Sequence, residues 1–239
     1  MEEWMQRTSL LLGDNNLQHL QQCHVLVVGV GGVGAYAAEM LVRAGIGRIT
    51  ILDSDCVAAS NINRQLVALH STIGKPKVDV LAQRLLDINP ALQLTVQQRY
   101  LDADDAEKLL QAKYDFVVDA IDTVAPKVAL LAACLQQNIA VVSSMGAGAR
   151  IDPSQIKYAD INQTTHCGLA RAVRSRLRKM NIRHKLPVVY STEIPQADAV
   201  EEVTGERNKR TTVGTVSYMP TIFGCYLAAY VIQRLTQHD

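Results

Sequence analysis

The chain has 239 residues, enough for one large α/β domain or two small ones. Apolar residues make up 48% and aromatics 5%, so aliphatic side chains must build the core, and the net charge of +1 leaves only a local patch to attract nucleic acid. Five scattered cysteines without a C-x-x-C pair argue against a structural zinc site and point to reduced thiols in a cytoplasmic protein.

The opening MEEWMQRTSLLLG is acidic, then polar, and lacks the charged start and long apolar run of a signal peptide. Residues 24–29 read as a buried strand and 33–44 as an amphipathic helix. Residues 48–53 form the second strand, followed by a polar, irregular stretch over 55–71 with a short helix. A helix over 77–88 closes on Asn89–Pro90, and 92–97 is a strand. Residues 102–112 form a helix with Asp102 as N-cap. Strand 115–119, helix 126–137 and strand 140–144 follow. This alternation predicts an α/β fold: a Rossmann-like, doubly wound, mostly parallel sheet. Beyond residue 150 the texture changes. Strands at 156–161 and 186–190 extend the sheet, with a basic helix over 169–180 between them. Residues 193–212 read as a polar, mobile loop, a candidate lid, and 220–236 as a final helix. No apolar run reaches the ~18 residues of a membrane span. The nearest, 219–235, is interrupted by Pro220, Gly224, Gln233 and Arg234. The expectation is a single domain over 1–239, with a nucleotide-binding core at 1–150 and an elaboration at 151–239.

Gly29, Gly31, Gly32 and Gly34 spell G-x-G-G-x-G between the first strand and first helix. Small residues let the backbone turn tightly and approach a phosphate, which the helix N-terminus attracts. Asp53 ends the second strand about 20 residues on, where a carboxylate holds ribose hydroxyls. This pair of features does not separate NAD from ATP. The next residues favour ATP. Arg64 and Lys77 supply cations for a polyphosphate, and Asp122, after DFVVD, supplies a carboxylate for Mg²⁺. Hydride transfer needs no such set.

GVGGVG, LDSD, SNINRQ, G-x-x-K and DAID, in this order, resemble the E1-like superfamily of ubiquitin-like-protein activators, the MoeB and ThiF type. That resemblance implies adenylation of a carboxylate with ATP and Mg²⁺ in a homodimer. It implies that Gly31, Gly32 and Gly34 line the nucleotide loop and that Asp53 binds ribose. Asn61, Arg64, Gln65 and Lys77 then contact phosphates, with Gly29, Asp55 and Asn63 in the same binding set. Asp122 holds Mg²⁺. Arg7 matches the arginine that such dimers insert into the neighbouring subunit's site; its plain reading is an exposed residue near a terminus.

The two C-x-x-C pairs common in MoeB and ThiF enzymes are missing, so no zinc is expected. SSMGAGARIDP, ADINQTTHCGLARAVRSRLRK and VVYSTE instead resemble the tRNA threonylcarbamoyladenosine dehydratase (TcdA, or CsdL) branch. That branch acts on tRNA carrying N6-threonylcarbamoyladenosine at position 37, activating its threonyl carboxylate with ATP and closing a ring. Its genomic associations imply a sulfur-transfer protein as a further partner. Where it often has proline before Leu–Ala–Arg, this chain has Gly168.

The residues between Arg171 and Lys185 support a tRNA reading independently. This stretch holds seven Lys and Arg and no acid, and Arg171, Arg174 and Arg178, with Lys179 beside them, form a phosphate-binding face at helical spacing. Without interleaved aromatics, base stacking is not expected there. The alternative function is activation of a ubiquitin-like sulfur carrier with Cys167 as thioester relay. Ring closure within one substrate needs no such relay, which favours a structural Cys167.

Overall fold

In the computed structural model, which describes residues 2–202 and 211–236, the first strand β1 (His24–Val28) is buried along its whole length. Alternate residues face opposite sides of a strand. Val25 and Val27 enter one apolar cluster, while Leu26 and Val28 enter the other. Two helices precede it, α1 (Gln6–Leu12) and α2 (Asp14–Gln22), and the sequence pattern does not foresee either. Their apolar anchors are sparse: Leu17 and Leu20 are the buried residues of α2.

From there the chain alternates as expected. The elements are α3 (Gly34–Arg43), β2 (Arg48–Asp53), α4 (Lys77–Ile88), β3 (Gln93–Gln98), α5 (Ala106–Leu110), β4 (Phe116–Asp119), α6 (Val124–Gln136) and β5 (Val141–Ser144). Then come β6 (Ile156–Asp160), α7 (Gly168–Lys179), β7 (Pro187–Ser191), β8 (Val200–Glu202), β9 (Thr211–Val213) and α8 (Tyr218–Thr236). Seven strands form one sheet in the order β3-β2-β1-β4-β5-β7-β6, parallel except for β6. Helices α3, α4 and α8 cover one face, and α5, α6 and α7 the other. The predicted doubly wound sheet with a C-terminal extension is therefore present. Strand order reverses between β1 and β4, the place where open α/β sheets bind ligands. Edge strand β3 carries polar Gln93, Gln97 and Gln98 against further strand addition.

Three local expectations are corrected. Asp102 does not cap a helix: a 3-10 turn over Ala103–Asp105 intervenes, the Asp102 side chain makes no cap bond, and α5 is short. The Asp105 carboxylate turns instead to Lys108, at 3.1 Å, and Arg99, at 3.6 Å. Helices α6 and α8 start two residues earlier than expected, with Pro126 and Pro220 inside their first turns. A missing N–H costs nothing there, because the first turn has no acceptor for it. The stretch predicted as a loop over 193–212 contains a 3-10 turn, Ala197–Ala199, and the antiparallel ribbon β8–β9; residues 203–210 fall outside the described part. Backbone pairing between two segments of three residues each leaves no hydrophobic period to read.

Candidate active site at the switch point

Gly29 and Gly34 are required by geometry. Gly29 has φ +85°, and a Cβ there would lie 2.8 Å from the Ala120 carbonyl oxygen. A Cβ on Gly34 would lie 1.8 Å from the Gly29 oxygen. Gly29 N–H donates to Leu52 O at 2.8 Å, carrying the β1–β2 ladder up to the turn. Gly32 packs under Pro220 of α8, whereas Gly31 faces only the Gln65 side chain. The buried Gln65 Oε1 has no hydrogen-bond partner among the described residues. The first turns of α3 and α4 lack any side-chain cap. Backbone carbonyls take part of each first turn, with Ala35 N–H donating to Gly31 O at 3.3 Å and Lys77 N–H to Asp55 O at 3.0 Å, while the positive dipole ends still favour an anion.

Asp53 ends β2 beside this turn. Its Oδ2 accepts Val30 N–H at 2.7 Å and its Oδ1 accepts Asp55 N–H at 2.8 Å. Burial raises its carboxyl above the usual aspartate range, although those N–H groups and Lys77 pull it down. Lys77 opens α4 with only 6% of its side chain exposed, and its Nζ lies 2.7 Å from the exposed Asp55 carboxylate. Arg64 Nη1 donates to Ser60 O at 2.9 Å and to Asn63 Oδ1 at 2.7 Å. Asn61 Oδ1 accepts from Ala58 N–H, and Asn63 Nδ2 donates to Thr215 O at 2.9 Å, tying this loop to the segment after β9. Asp122 is exposed beyond β4 and has no hydrogen bond or ion pair among the described residues. A free carboxylate at this edge fits a metal–phosphate ligand, since magnesium takes one or two carboxylates with phosphate oxygens. No cluster of three or more His, Cys, Asp or Glu is found among the described residues.

Other predicted residues lie apart. Arg7 is exposed on α1, next to Leu10 and Leu11 at 82% and 83% exposure. On α7, Arg171, Arg174, Ser175, Arg178 and Lys179 line a cavity of about 460 Å³. Among the described residues, no carboxylate lies within ion-pair distance of these cations. Arg174 is nonetheless anchored, donating to Ile161 O and Thr164 Oγ1 at 2.8 Å each. Arg178 reaches Asn162 Oδ1 at 3.1 Å. Cys167 is buried and caps α7, its Sγ accepting Ala170 N–H at 3.5 Å. Gly168 is the first residue of that helix, with open space where a side chain would start. Proline is favoured at this first position for want of a needed N–H, so the departure from the family's pattern disturbs no bond.

Two buried cations are missed by the sequence reasoning. Arg150 gathers four carbonyls: Gly146 at 2.8 Å, Gly148 at 3.0 Å, His166 at 2.7 Å and Glu193 at 3.2 Å. It holds the strained turns at Ala149 (φ +59°) and His166 (φ +51°). Lys127 pairs with Asp119 at 2.7 Å, both side chains fully buried. A lone lysine among the apolar residues of VAPKVALL is the signal that could have revealed it. A second cavity of about 480 Å³ lies where β4, β5 and β7 begin, lined by Phe116, Val141, Pro187 and Lys185 among others. That is the opposite end of the sheet from the glycine turn, and the wrong end for nucleotide binding in such folds.

Fold and candidate site together are those of a doubly wound α/β protein with a glycine turn, Asp53 and Lys77 gathered at its switch point. The chain belongs to the ThiF family, whose model matches residues 5–239. It is 36% identical over 236 residues to the tRNA threonylcarbamoyladenosine dehydratase of Bacillus subtilis, covering 96% of this chain and 93% of that protein. The protein of the same name from Escherichia coli is 37% identical over 254 residues, covering 98% and 95%. The solved structure of the Escherichia coli enzyme, TcdA, in complex with ATP matches with TM-score 0.88 at 35% identity, covering 98% of this chain and 96% of that one.

Proposed function

We propose that this chain is an ATP-dependent dehydratase acting on tRNA that carries N6-threonylcarbamoyladenosine at position 37. One observation carries the nucleotide half of the reading: Asp53 holds the glycine turn through Val30 N–H and the next segment through Asp55 N–H, and the buried Lys77 ammonium sits on that segment at Asp55. Similarity over nearly the whole chain to the named dehydratases supports the substrate half. The whole chain acts as one adenylating domain, with 1–150 holding the nucleotide and 151–239 facing the substrate, in the cytoplasm where the tRNA is found.

Gly29, Gly31, Gly32 and Gly34 admit the phosphates, and Asp53 accepts the ribose hydroxyls. Asn61, Asn63, Gln65 and Asp55 complete the wall of the cradle. The threonyl carboxylate attacks the α-phosphorus, an oxygen–phosphorus bond forms, and the bond to pyrophosphate breaks. Arg64, Lys77 and Arg7 of the partner subunit offset the charge on the departing pyrophosphate. A substrate nitrogen then attacks the activated carbonyl, loses its proton and displaces AMP, so water is lost overall at the expense of ATP. Asp122 would hold Mg²⁺, which would supply positive charge against the triphosphate. The proposed subunit interface is the α1 surface, where exposed Leu10 and Leu11 flank Arg7. The proposed tRNA surface is α7, with Arg171, Arg178 and Lys179 on phosphates.

A burial argument weakens the sulfur-carrier alternative. Cys167 is enclosed and engaged as a helix cap, so a carrier's C-terminus cannot reach its sulfur without opening α7.

The test is mass spectrometry of nucleosides from threonylcarbamoyladenosine-bearing tRNA after incubation with the protein, ATP and Mg²⁺. The expected product is lighter by one water, with AMP and pyrophosphate formed. An unchanged nucleoside, with ATP–pyrophosphate exchange driven by a sulfur-carrier protein, would move the chain to the activator branch.

A further inference from the structure

Asp119 and Lys127 sit beneath the nucleotide end of the sheet, both with no exposed side-chain surface. Asp119 is the last residue of β4, and Lys127 lies one turn into α6. Lys127 Nζ is 2.7 Å from Asp119 Oδ2 and also donates to the Ile121 carbonyl at 2.9 Å. Asp119 Oδ1 accepts the Ile121 N–H at 3.1 Å, and Oδ2 accepts the Ser143 hydroxyl of β5 at 2.6 Å. Both the N–H and the C=O of Ile121 are therefore fastened to one ion pair. The neighbours of Ile121 face the chemistry. Ala120 donates to Val28 O at 2.9 Å, and its own carbonyl stands where a Gly29 side chain would be. Asp122, on the other side, carries a carboxylate with no partner among the described residues.

Stability alone does not account for such a pair. Desolvation offsets most of the attraction between buried charges, and apolar residues of equal volume are often as stable or more so. What apolar residues cannot do is bond both polar groups of one peptide residue. The nearby Cys134 thiol is pushed up to about 12 by burial and by the Asp119 charge. It stays neutral and takes no share of the Lys127 charge.

We infer that the Asp119–Lys127 pair is a positioning device: it fixes the backbone of Ile121 so that Asp122 is presented to the metal–phosphate group while Ala120 walls the glycine turn. This rests on the reading of Asp122 as the Mg²⁺ ligand. Groups that orient a metal ligand from behind matter by roughly 10–100-fold in metal affinity or activity.

The test uses the Asp119→Asn/Lys127→Met double variant, which keeps volume and strands no single charge. Ser143→Ala, which removes only the hydroxyl bond to Asp119, serves as a milder second variant, and Asp122→Asn is the benchmark. Two quantities are read: the Mg²⁺ concentration for half-maximal AMP formation, and ATP affinity by calorimetry with and without Mg²⁺. In the double variant the Mg²⁺ requirement should rise about tenfold or more. Ser143→Ala should move in the same direction by less. ATP affinity without the metal should fall by less than the Mg²⁺ requirement rises in both, because Ala120 keeps its own bond to Val28 O. If Asp122→Asn raises the Mg²⁺ requirement while the folded double variant and Ser143→Ala keep the wild-type one, the pair is merely structural and the inference falls. If Asp122→Asn leaves the requirement unchanged, the metal assignment itself fails, and the inference with it.

Discussion

Replacing Lys77 with methionine separates a functional cation from a structural one. The Nζ is 2.7 Å from Asp55, yet the two partners differ in environment, with 6% of the lysine side chain exposed against 64% of the aspartate. On losing Lys77, Asp55 regains water, so the lost pair is worth about 0–1 kcal/mol, the range for solvent-screened pairs. Methionine refills the buried stem with similar volume and removes a desolvated ammonium. The expected change in stability is thus within about 1 kcal/mol, or roughly 2–4 °C in Tm for a chain of this size. Activity responds on another scale. A fixed positive group opposite charge that develops during reaction is worth about 10²–10³ in kcat. Lys77→Met should therefore melt near the wild type while AMP formation falls by about two to three orders of magnitude. Differential scanning calorimetry and a single-turnover AMP assay read the two quantities. A large fall in Tm would make Lys77 a structural ion, and wild-type turnover would remove it from the phosphate site.

Gly34→Ala puts a methyl 1.8 Å from the Gly29 carbonyl, so the turn must open; a loss of ATP affinity by calorimetry is expected, with about 1–3 kcal/mol lost in denaturant melts. Charge on α7 is tested by neutralising Arg171, Arg178 and Lys179 together while sparing the anchored Arg174. Each lost phosphate contact should flatten the log–log salt dependence of tRNA binding by about 0.7–0.9, leaving ATP binding unchanged. Acid titration separates two carboxylates. Burial pushes the buried Glu39 up, but hydrogen bonds from Arg84 and Arg43 outweigh it and hold the folded pKa below the ordinary range. Its stabilisation is present above the ordinary glutamate pKa and lost as pH falls through the lowered one, a loss that Glu39→Gln should not show in pH-dependent melts. Asp53 has the opposite sign: its raised folded pKa gives stability below the ordinary aspartate range that is lost as pH rises through the raised value. ATP affinity, which needs the ionised Asp53, should begin to fade on acidification at a higher pH than an ordinary aspartate would give.

The β1 strand, the glycine turn and Asp53 are legible in the sequence because each follows from a local rule. A buried parallel strand must be apolar on both faces, and a turn with no room for a Cβ must be glycine. Lys77 is legible through its place after a strand and loop. Lys127 is not, because nothing local says that a lysine in an apolar helix meets a carboxylate ending a strand eight residues earlier. Arg150 is hidden for a similar reason: its partners are carbonyls from three separate segments, and a carbonyl carries no residue identity. The α1–α2 pair escapes notice because its few buried side chains make too faint a period. Asp102 misleads because an acid before a helical pattern suggests a cap, whereas the backbone inserts a tighter turn.

Cys167 decides between the two chemistries that share this cradle. Its sulfur is buried at the start of α7 and accepts the Ala170 N–H at 3.5 Å, a long bond to a weak acceptor. Serine at this position would offer a stronger acceptor in the same place. A good N-cap is worth about 0.5–2 kcal/mol over none, so Cys167→Ser should hold or slightly raise Tm. If ring closure proceeds within one substrate, the nucleophile is already at high effective concentration and no sulfur is needed. Cys167→Ser should then form the dehydrated nucleoside at the wild-type rate. If a relay thiol is required, the variant should fold normally and still exchange pyrophosphate, because adenylation precedes the relay, but it should release no product. The pairing of intact exchange with lost product would identify Cys167 as a nucleophile. Wild-type product formation would confine it to capping α7.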